Sequence, residues 1–182
     1  MKSLFFFCLL SLALMNAPRA QNYFTKNGKL SFFSKTSMEN IDAVNNQAIS
    51  VLNIKTCDIG FSVLIKGFLF KKALMQEHFN EDYMESDKYP KAIFKGVISD
   101  IKMVNFMKDG SYTVTVTGDL NMHGVSNKVK LPGTVSIKGG KISAAAVFSV
   151  AVADYKISIP KLVENNISKT IEVKVDCNYE PK

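Results

Sequence analysis

Alternation of apolar and polar residues runs through most of this chain and constrains its fold more than any other feature. Segment 111–122, SYTVTVTGDLNM, is the clearest case, with Tyr112, Val114 and Val116 on one face and threonines on the other. A period of two is the pattern of a β-strand with one buried face and one wet face. The chain is therefore predicted to fold into antiparallel strands, which can leave one face in water.

Seven further segments read as strands by the same criteria. They are 29–36, 46–54, 57–68, 91–100, 126–137, 141–150 and 169–179. Turn sequences such as His123-Gly124 and Gly139-Gly140 separate them. Pro132-Gly133 interrupts one strand, which predicts an edge or a bulge there. Eight strands are near the number at which a sheet closes into a small barrel. We therefore predict an all-β fold, an eight-stranded antiparallel barrel of the lipocalin-like kind.

One helix is predicted, in segment 71–84. Its apolar residues recur every four positions, which places them on one stripe. Lys71 and Lys72 oppose the helix dipole, so the helix should begin after them. It should end before Tyr89-Pro90, because the residue before a proline favours extended backbone. A short helix between two barrel strands has to lie at an end, so it should cap a mouth. The predicted lid residues are Leu74, Met75, Phe79 and Tyr83.

The N-terminus has the pattern of a secretory signal peptide. Lys2 is followed by the apolar run 4–15, and the sequence APRA ends at Ala20. The run is too short to span a bilayer, which takes about 20 residues. We predict cleavage after Ala20, one domain over 21–182 with no transmembrane segment, and a secreted or periplasmic protein that makes at most transient membrane contact.

Charge and cysteine content narrow the possible partners. Removal of residues 1–20 takes away Lys2 and Arg19 and lowers the formal charge from +7 to +5. The remaining basic residues are all lysines at scattered strand positions. Arginine, whose guanidinium group forms paired hydrogen bonds with phosphates and base edges, is absent. Nucleic acid is therefore not predicted as a partner.

Cys57 and Cys177 both fall on inward positions, where a disulfide and two free thiols are equally compatible with the pattern.

The segment 77–87 raises a different possibility, because it places His78 among five carboxylates. His78 with Glu81 or Asp82 has the spacing of two ligands on one helix face. A stable metal site needs three or four ligands, and His123 lies in a distant turn. We predict no metal, no cofactor and no catalytic residue. The alternative is a small secreted enzyme or a metal-dependent accessory protein that uses His78 and these carboxylates.

The inward face of the predicted strands carries no charged residue and mixes large with small residues. Gly96, Gly118, Ala144 and Ala146 alternate onto it. Such a face suits either a filled core or an apolar cavity, and the alternation does not decide between them. We hypothesise that Gly118 and Ala146 leave room for a ligand. The predicted cavity residues are Phe61, Val63, Ile65, Phe94, Ile98, Tyr112, Val114, Val116, Leu120, Phe148 and Val150.

Two motifs resemble the YceI family of secreted lipocalin-like barrels. The first is Tyr-Pro-Lys-Ala-Ile-Phe at 89–94, which follows the helix, and the second is Gly-Asp-Leu-Asn-Met-His-Gly-Val at 118–125. The resemblance spans essentially all of 21–182. It implies an elongated apolar cavity that holds a long-chain lipid, either a polyisoprenoid or a fatty-acid-like amphiphile. Since arginine is absent from 21–182, Lys71 or Lys72 would have to hold a diphosphate head group.

Overall fold

The computed structural model describes residues 21–99 and 103–182. Nine strands form one antiparallel sheet, in the order β1-β9-β8-β7-β6-β5-β3-β2-β4, and β1 also pairs with β2. That last pairing closes eight of the strands into a barrel, as predicted. The predicted signal peptide lies outside the described residues. The strands are β1 (Asn22–Lys35), β2 (Asn40–Asn53), β3 (Asp58–Leu64), β4 (Leu69–Phe70), β5 (Lys91–Ile98), β6 (Gly110–Met122), β7 (Val125–Lys138), β8 (Lys141–Ala151) and β9 (Thr170–Pro181).

The strand outside the closed barrel, β4, continues the line of β3 after a break. A 3-10 turn at Ile65–Gly67 separates β3 from β4, and both pair with β2. Asn45 fills the break: its Nδ2 donates to the carbonyl oxygen of Leu64 at 2.9 Å. Its Oδ1 accepts from the backbone N–H of Gln47 at 2.8 Å, so this fully buried amide is satisfied.

The predicted helix is present but short. Helix α1 (Ala73–His78) runs directly into one turn of π-helix (Phe79–Tyr83), and we call residues 73–83 the lid. The lid begins after Lys72, which is its extended N-cap residue, as the dipole argument predicted. Two further 3-10 turns, at Val152–Tyr155 and Lys161–Val163, lie in the long connection between β8 and β9.

One end of the barrel is packed solid, and we call it the filled end. Leu52, Val135 and Ile142 are among its buried side chains, each about 1% exposed. The hydroxyl groups of Ser50 and Tyr179 lie 2.7 Å apart there, and Ser50 Oγ donates to the Gly60 carbonyl. Burial raises the pKa of the Tyr179 phenol, so it stays neutral.

Both described cysteines are free thiols. Cys177 is fully buried in the filled end, and Cys57 is partly buried beside the same cluster. Burial, with a smaller contribution from the Asp176 charge, raises the pKa of Cys177 to about 12. Cys177 therefore stays protonated at neutral pH and acts as a packing group rather than a nucleophile.

Candidate functional site

A large apolar cavity occupies the barrel beyond the filled end. Its volume is about 410 Å³, which lies in the range of about 300–1,000 Å³ typical of small-molecule sites. The strands, the lid and the connection between β8 and β9 all contribute to its wall. Polar side chains are few, and four of them define what we call the mouth: Ser34, Glu39, His78 and Asn166.

Exposure along single strands marks where the filled end stops and the cavity begins. On the inward face of β8, Ile142 is 1% exposed, whereas Ala146 and Phe148 are only partly buried. These residues share one face, so the difference reflects what lies opposite them rather than which way they point. The interior of the barrel is therefore filled at one end and hollow toward the other. The alternation had left these two outcomes undecided.

Ten of the eleven predicted cavity residues line the cavity, and Tyr112 does not. Those that line the cavity are Phe61, Val63, Ile65, Phe94, Ile98, Val114, Val116, Leu120, Phe148 and Val150. Tyr112 lies outside the wall. Its side chain packs against the filled end, and its hydroxyl is 3.4 Å from the Asn105 carbonyl oxygen. Tyr112 alternates correctly but sits too near the start of β6 to reach the cavity.

The lid contributes Met75, Phe79 and Tyr83 to the cavity wall. Leu74 does not line it; its side chain is 63% exposed on the outer side of α1. The difference follows from the helical period, because Met75 and Phe79 are four residues apart and share a face, while Leu74 is rotated away from it.

Four phenylalanines fasten the lid to the barrel. Phe79 packs against Phe32, Phe68 and Phe70, with ring centroids 5.0–5.7 Å apart. Phe32, Phe68 and Phe70 also line the cavity and were missing from the predicted site. A signal for Phe32 was available, because Leu30, Phe32 and Ser34 alternate in segment 29–36. No such signal was available for Phe68 and Phe70, because the strand is interrupted at Ile65–Gly67 and the alternation is lost there.

The connection between β8 and β9 forms a second part of the wall that the sequence analysis missed. The pairing of β7 with β8 ends at Thr134 and Ala145, although β7 pairs with β6 along its whole length. Pro132 has no N–H to donate to a ladder, which agrees with the predicted interruption. Residues of the connection complete the wall near this gap. They are Val152, Ile157, Ile159, Val163, Asn166 and Ile167.

The hypothesis that Gly118 leaves room for a ligand is wrong. Gly118 lies directly opposite Gly96 across the β5–β6 ladder. A Cβ on Gly118 would overlap the Lys95 carbonyl oxygen and lie 2.5 Å from Gly96 Cα. The ring of Phe94 covers both glycines. They let two backbones and one ring approach closely. Ala146, by contrast, does line the cavity.

The lysines near the lid are already paired with carboxylates. Lys71 Nζ lies 2.9 Å from Asp42 Oδ1, and Lys72 Nζ lies 3.2 Å from Glu39 Oε1. Neither lysine lines the cavity, although Glu39 does. Among the described residues, the cavity wall therefore includes the Glu39 carboxylate, which is paired with Lys72, and no lysine side chain.

The histidines do not come together. His78, at the mouth, has its Nδ1 2.7 Å from Asp82 Oδ2, and both side chains are more than half exposed. His123 instead contacts Glu85 and the backbone of Tyr155. Within 21–99 and 103–182, no three His, Cys, Asp or Glu side chains are grouped closely enough to hold a metal ion.

The two motifs 89–94 and 118–125 meet in space. The rings of Tyr89 and His123 are 4.7 Å apart, and a Cβ on Gly124 would lie 2.6 Å from the Tyr89 ring. A family model described as the YceI-like domain matches residues 17–179. The chain belongs to the YceI-like domain family. Its membership confirms the resemblance carried by these motifs, and the observed barrel is the fold which that resemblance implied.

Several solved structures share this fold at low sequence identity. A polyisoprenoid binding domain from Saccharophagus degradans, implicated in plant cell wall breakdown, aligns over 90% of this chain and all of its own, with a TM-score of 0.78 and 15% identity. BcnA from Burkholderia cenocepacia aligns over 84% of this chain and 96% of its own, with a TM-score of 0.69 and 16% identity.

A third structure, the YceI protein of Campylobacter jejuni, aligns over 74% of this chain and 81% of its own, with a TM-score of 0.53 and 17% identity. A search of curated proteins by sequence found no match.

Proposed function

We propose that this YceI-like barrel sequesters or carries a long-chain lipid, either a polyisoprenoid or a fatty-acid-like amphiphile. The observation that carries the proposal is the apolar cavity, which is continuous from the filled end to the lid and is lined almost entirely by hydrocarbon. The polyisoprenoid binding domain of Saccharophagus degradans, which shares the fold, supports a chain of this kind. We assign the protein no catalytic step and no cofactor.

Burial of the chain supplies the binding free energy in this proposal. Each methylene group removed from water contributes about 0.8 kcal/mol, so ten chain carbons contribute about 8 kcal/mol before the costs of association. The proposed contacts come from the walls already described and from the lid residues Met75, Phe79 and Tyr83. Leu74 and Tyr112 are left out, because neither lines the cavity.

The charges at the mouth favour a ligand with an uncharged head group. Glu39 faces the cavity, while Lys71 and Lys72 are held by Asp42 and Glu39. An anionic head group at the mouth would meet a carboxylate and would have to displace an ion pair to gain a cation. An alcohol or an amide meets Ser34 and Asn166 without that cost.

We therefore expect lipid-stripped protein to take up a long-chain prenol at least about tenfold more tightly than the prenyl diphosphate of equal length, a difference of about 1.4 kcal/mol. Competition of each compound against a fluorescent long-chain alcohol measures the two affinities. Tighter binding of the diphosphate would contradict the head-group assignment. Failure of every long-chain compound to compete would contradict the binding function itself.

Export is the second part of the proposal. The apolar run 4–15 and the sequence APRA support cleavage after Ala20. Among the described residues, we find no helical segment with the length and hydropathy of a membrane span. We expect the exported protein to begin at Gln21, which N-terminal sequencing tests. A protein that still begins at Met1, or that carries a lipid on Cys8, would refute the assignment.

A further inference from the structure

His123 lies where three strained parts of the backbone meet. It occupies the tight turn between β6 and β7 with a φ of 51°. Glu85, just after the lid, has a φ of 42°, and Lys156, just after the 152–155 turn, has a φ of 56°. Non-glycine residues adopt this left-handed backbone rarely, and it persists where surrounding contacts hold it. The contacts of His123 are placed to hold these three segments together.

Both ring nitrogens of His123 face hydrogen-bond acceptors. Nδ1 lies 2.9 Å from the carbonyl oxygen of Tyr155, and Nε2 lies 2.9 Å from Oε2 of Glu85. The His123 side chain is only 10% exposed, and its ring packs against that of Tyr89 at an interplanar angle of 64°. The imidazole thus ties the exit of the lid and the 152–155 turn to the β6–β7 hairpin.

Both contacts can be hydrogen bonds only if the His123–Glu85 pair carries one proton more than a neutral imidazole and an ionised carboxylate. A carbonyl oxygen can only accept, so Nδ1–H donates to Tyr155. Nε2 and Glu85 Oε2 would then face each other with lone pairs unless a second proton lies between them. Histidine is the side chain that ordinarily changes charge between about pH 5 and 8. Loss of the shared proton removes one of the two bonds and opposes two lone pairs.

The neighbouring groups keep their charge states over that range. Lys88 Nζ lies 3.6 Å from Glu85 Oε1, and a hydrogen bond with Tyr89 and the Glu85 charge raise the pKa of Lys88, which stays cationic. Burial, with a smaller contribution from the Asp154 charge, raises the pKa of the Tyr155 phenol, which stays neutral.

The segments that His123 joins are parts of the cavity wall. Met84 precedes Glu85, Met122 precedes His123, and Val152 begins the turn that ends at Tyr155; all three line the cavity. Separation at His123 would therefore loosen the wall at the lid and at the connection between β8 and β9 together.

We propose that His123 and Glu85 form a proton-dependent clamp that holds the lid against the barrel, so that bound lipid exchanges faster as the pH rises. This inference rests on the proposed lipid binding. The direction follows from proton linkage: the closed state holds the extra proton, so low pH favours closure, and closure weakens as the shared proton is lost.

The test is the dissociation rate of a pyrene-labelled long-chain alcohol from untagged protein between about pH 5.5 and 8.5. Loss of one charge-assisted hydrogen bond is expected to accelerate release by about tenfold or more across this range. Glu85→Gln is the informative variant, because its amide can accept from a protonated Nε2 and donate to a neutral one. We expect its release rate to be slow and nearly independent of pH.

Two further variants separate the clamp from other causes. His123→Asn keeps a residue that tolerates positive φ but loses both contacts, so its release should be fast at every pH. His78→Asn removes the other histidine; whatever its absolute rate, the ratio between high and low pH should match the wild type. A flat profile in the wild type, or a pH ratio that disappears with His78→Asn, would overturn the clamp.

A measurement without ligand keeps the clamp distinguishable from the binding function. In the His78→Asn variant, nitrogen NMR of the single remaining imidazole reports its protons directly. The clamp predicts two protonated ring nitrogens at low pH, with loss of the Nε2 proton accompanied by weaker amide-exchange protection in the lid after correction for intrinsic rates. Unchanged protection would contradict the clamp, whereas failure of the wild type to take up the labelled alcohol would contradict only lipid binding.

Discussion

Ala146→Phe is expected to weaken lipid binding by about 10- to 100-fold while leaving the lipid-free protein as stable as the wild type or more so. Ala146 lies on the inward face of β8 and lines the cavity, so a phenyl ring placed there extends into the space that the ligand needs. A clash of about 1–3 kcal/mol with the bound chain produces a change of this size. In the empty barrel the ring instead buries apolar surface, which stabilises the fold.

The matched control for this substitution lies one residue away. Val147 is on the same strand but on its outer face, and it is 50% exposed. Val147→Phe adds an aromatic ring to β8 without entering the cavity, so affinity should not change. Urea unfolding of lipid-free protein and titration with a fluorescent long-chain alcohol measure the two quantities. Full affinity in Ala146→Phe, or strong destabilisation of its lipid-free form, would mean that this part of the barrel holds no ligand.

Gly118→Ala is expected to cost at least about 3 kcal/mol of unfolding free energy, although it adds a single carbon. The new Cβ would meet backbone atoms of Lys95 and Gly96 on the neighbouring strand, with the Gly96 Cα at 2.5 Å. Strand backbones cannot move aside as a flexible side chain can. The β5–β6 ladder would have to separate, which would also displace the ring of Phe94.

Gly133→Ala tests whether this cost belongs to the site or to glycine replacement in general. Gly133 lies on β7, the neighbouring strand, and a Cβ there would make ordinary contacts, with the Ala145 carbonyl oxygen at 3.5 Å and Val114 Cγ2 at 3.6 Å. We expect it to change the unfolding free energy by less than about 1 kcal/mol. Equal losses for the two variants, in urea or thermal unfolding, would refute the close-approach explanation.

The comparison of Gly118 with Ala146 shows how much of this structure the sequence can predict. Alternation correctly placed Gly118 and Ala146 on the inward face, because a period of two fixes which side of a sheet a residue faces. It carries no information about what stands opposite. The Phe94 ring lies against Gly118, and open space lies beside Ala146, a distinction that arises from the pairing of β5 with β6 and from the position of each residue along the barrel axis.

Other parts of the site lacked a periodic signal. The connection 152–169 forms a substantial part of the wall, yet it contains no long strand or helix, so neither a period of 2 nor one of 3.6 applies to it. The lid was predictable because Met75, Phe79 and Tyr83 repeat at helical spacing. The phenylalanines that hold it come from β1 and from the broken strand at 65–70, and their meeting depends on barrel closure.

His123 shows the same limit for a polar residue. From the sequence it was a turn residue next to Gly124. In the structure its partners are Glu85, 38 residues away, and Tyr155, 32 residues away. A histidine next to a glycine predicts the turn, but only the folded barrel brings the carboxylate and the carbonyl oxygen to its two nitrogens.

The central claim is that the cavity holds a long-chain lipid, and mass spectrometry of what co-purifies with the protein tests it most directly. The protein is isolated without detergent, extracted with organic solvent and analysed beside Ala146→Phe and Val147→Phe. We predict a long-chain lipid with an uncharged head group, near one molecule per protein, in the wild type and in Val147→Phe, and a strongly reduced amount in Ala146→Phe. Extracts of the wild type that contain no long-chain lipid, from protein that after delipidation also takes up none, would contradict the claim.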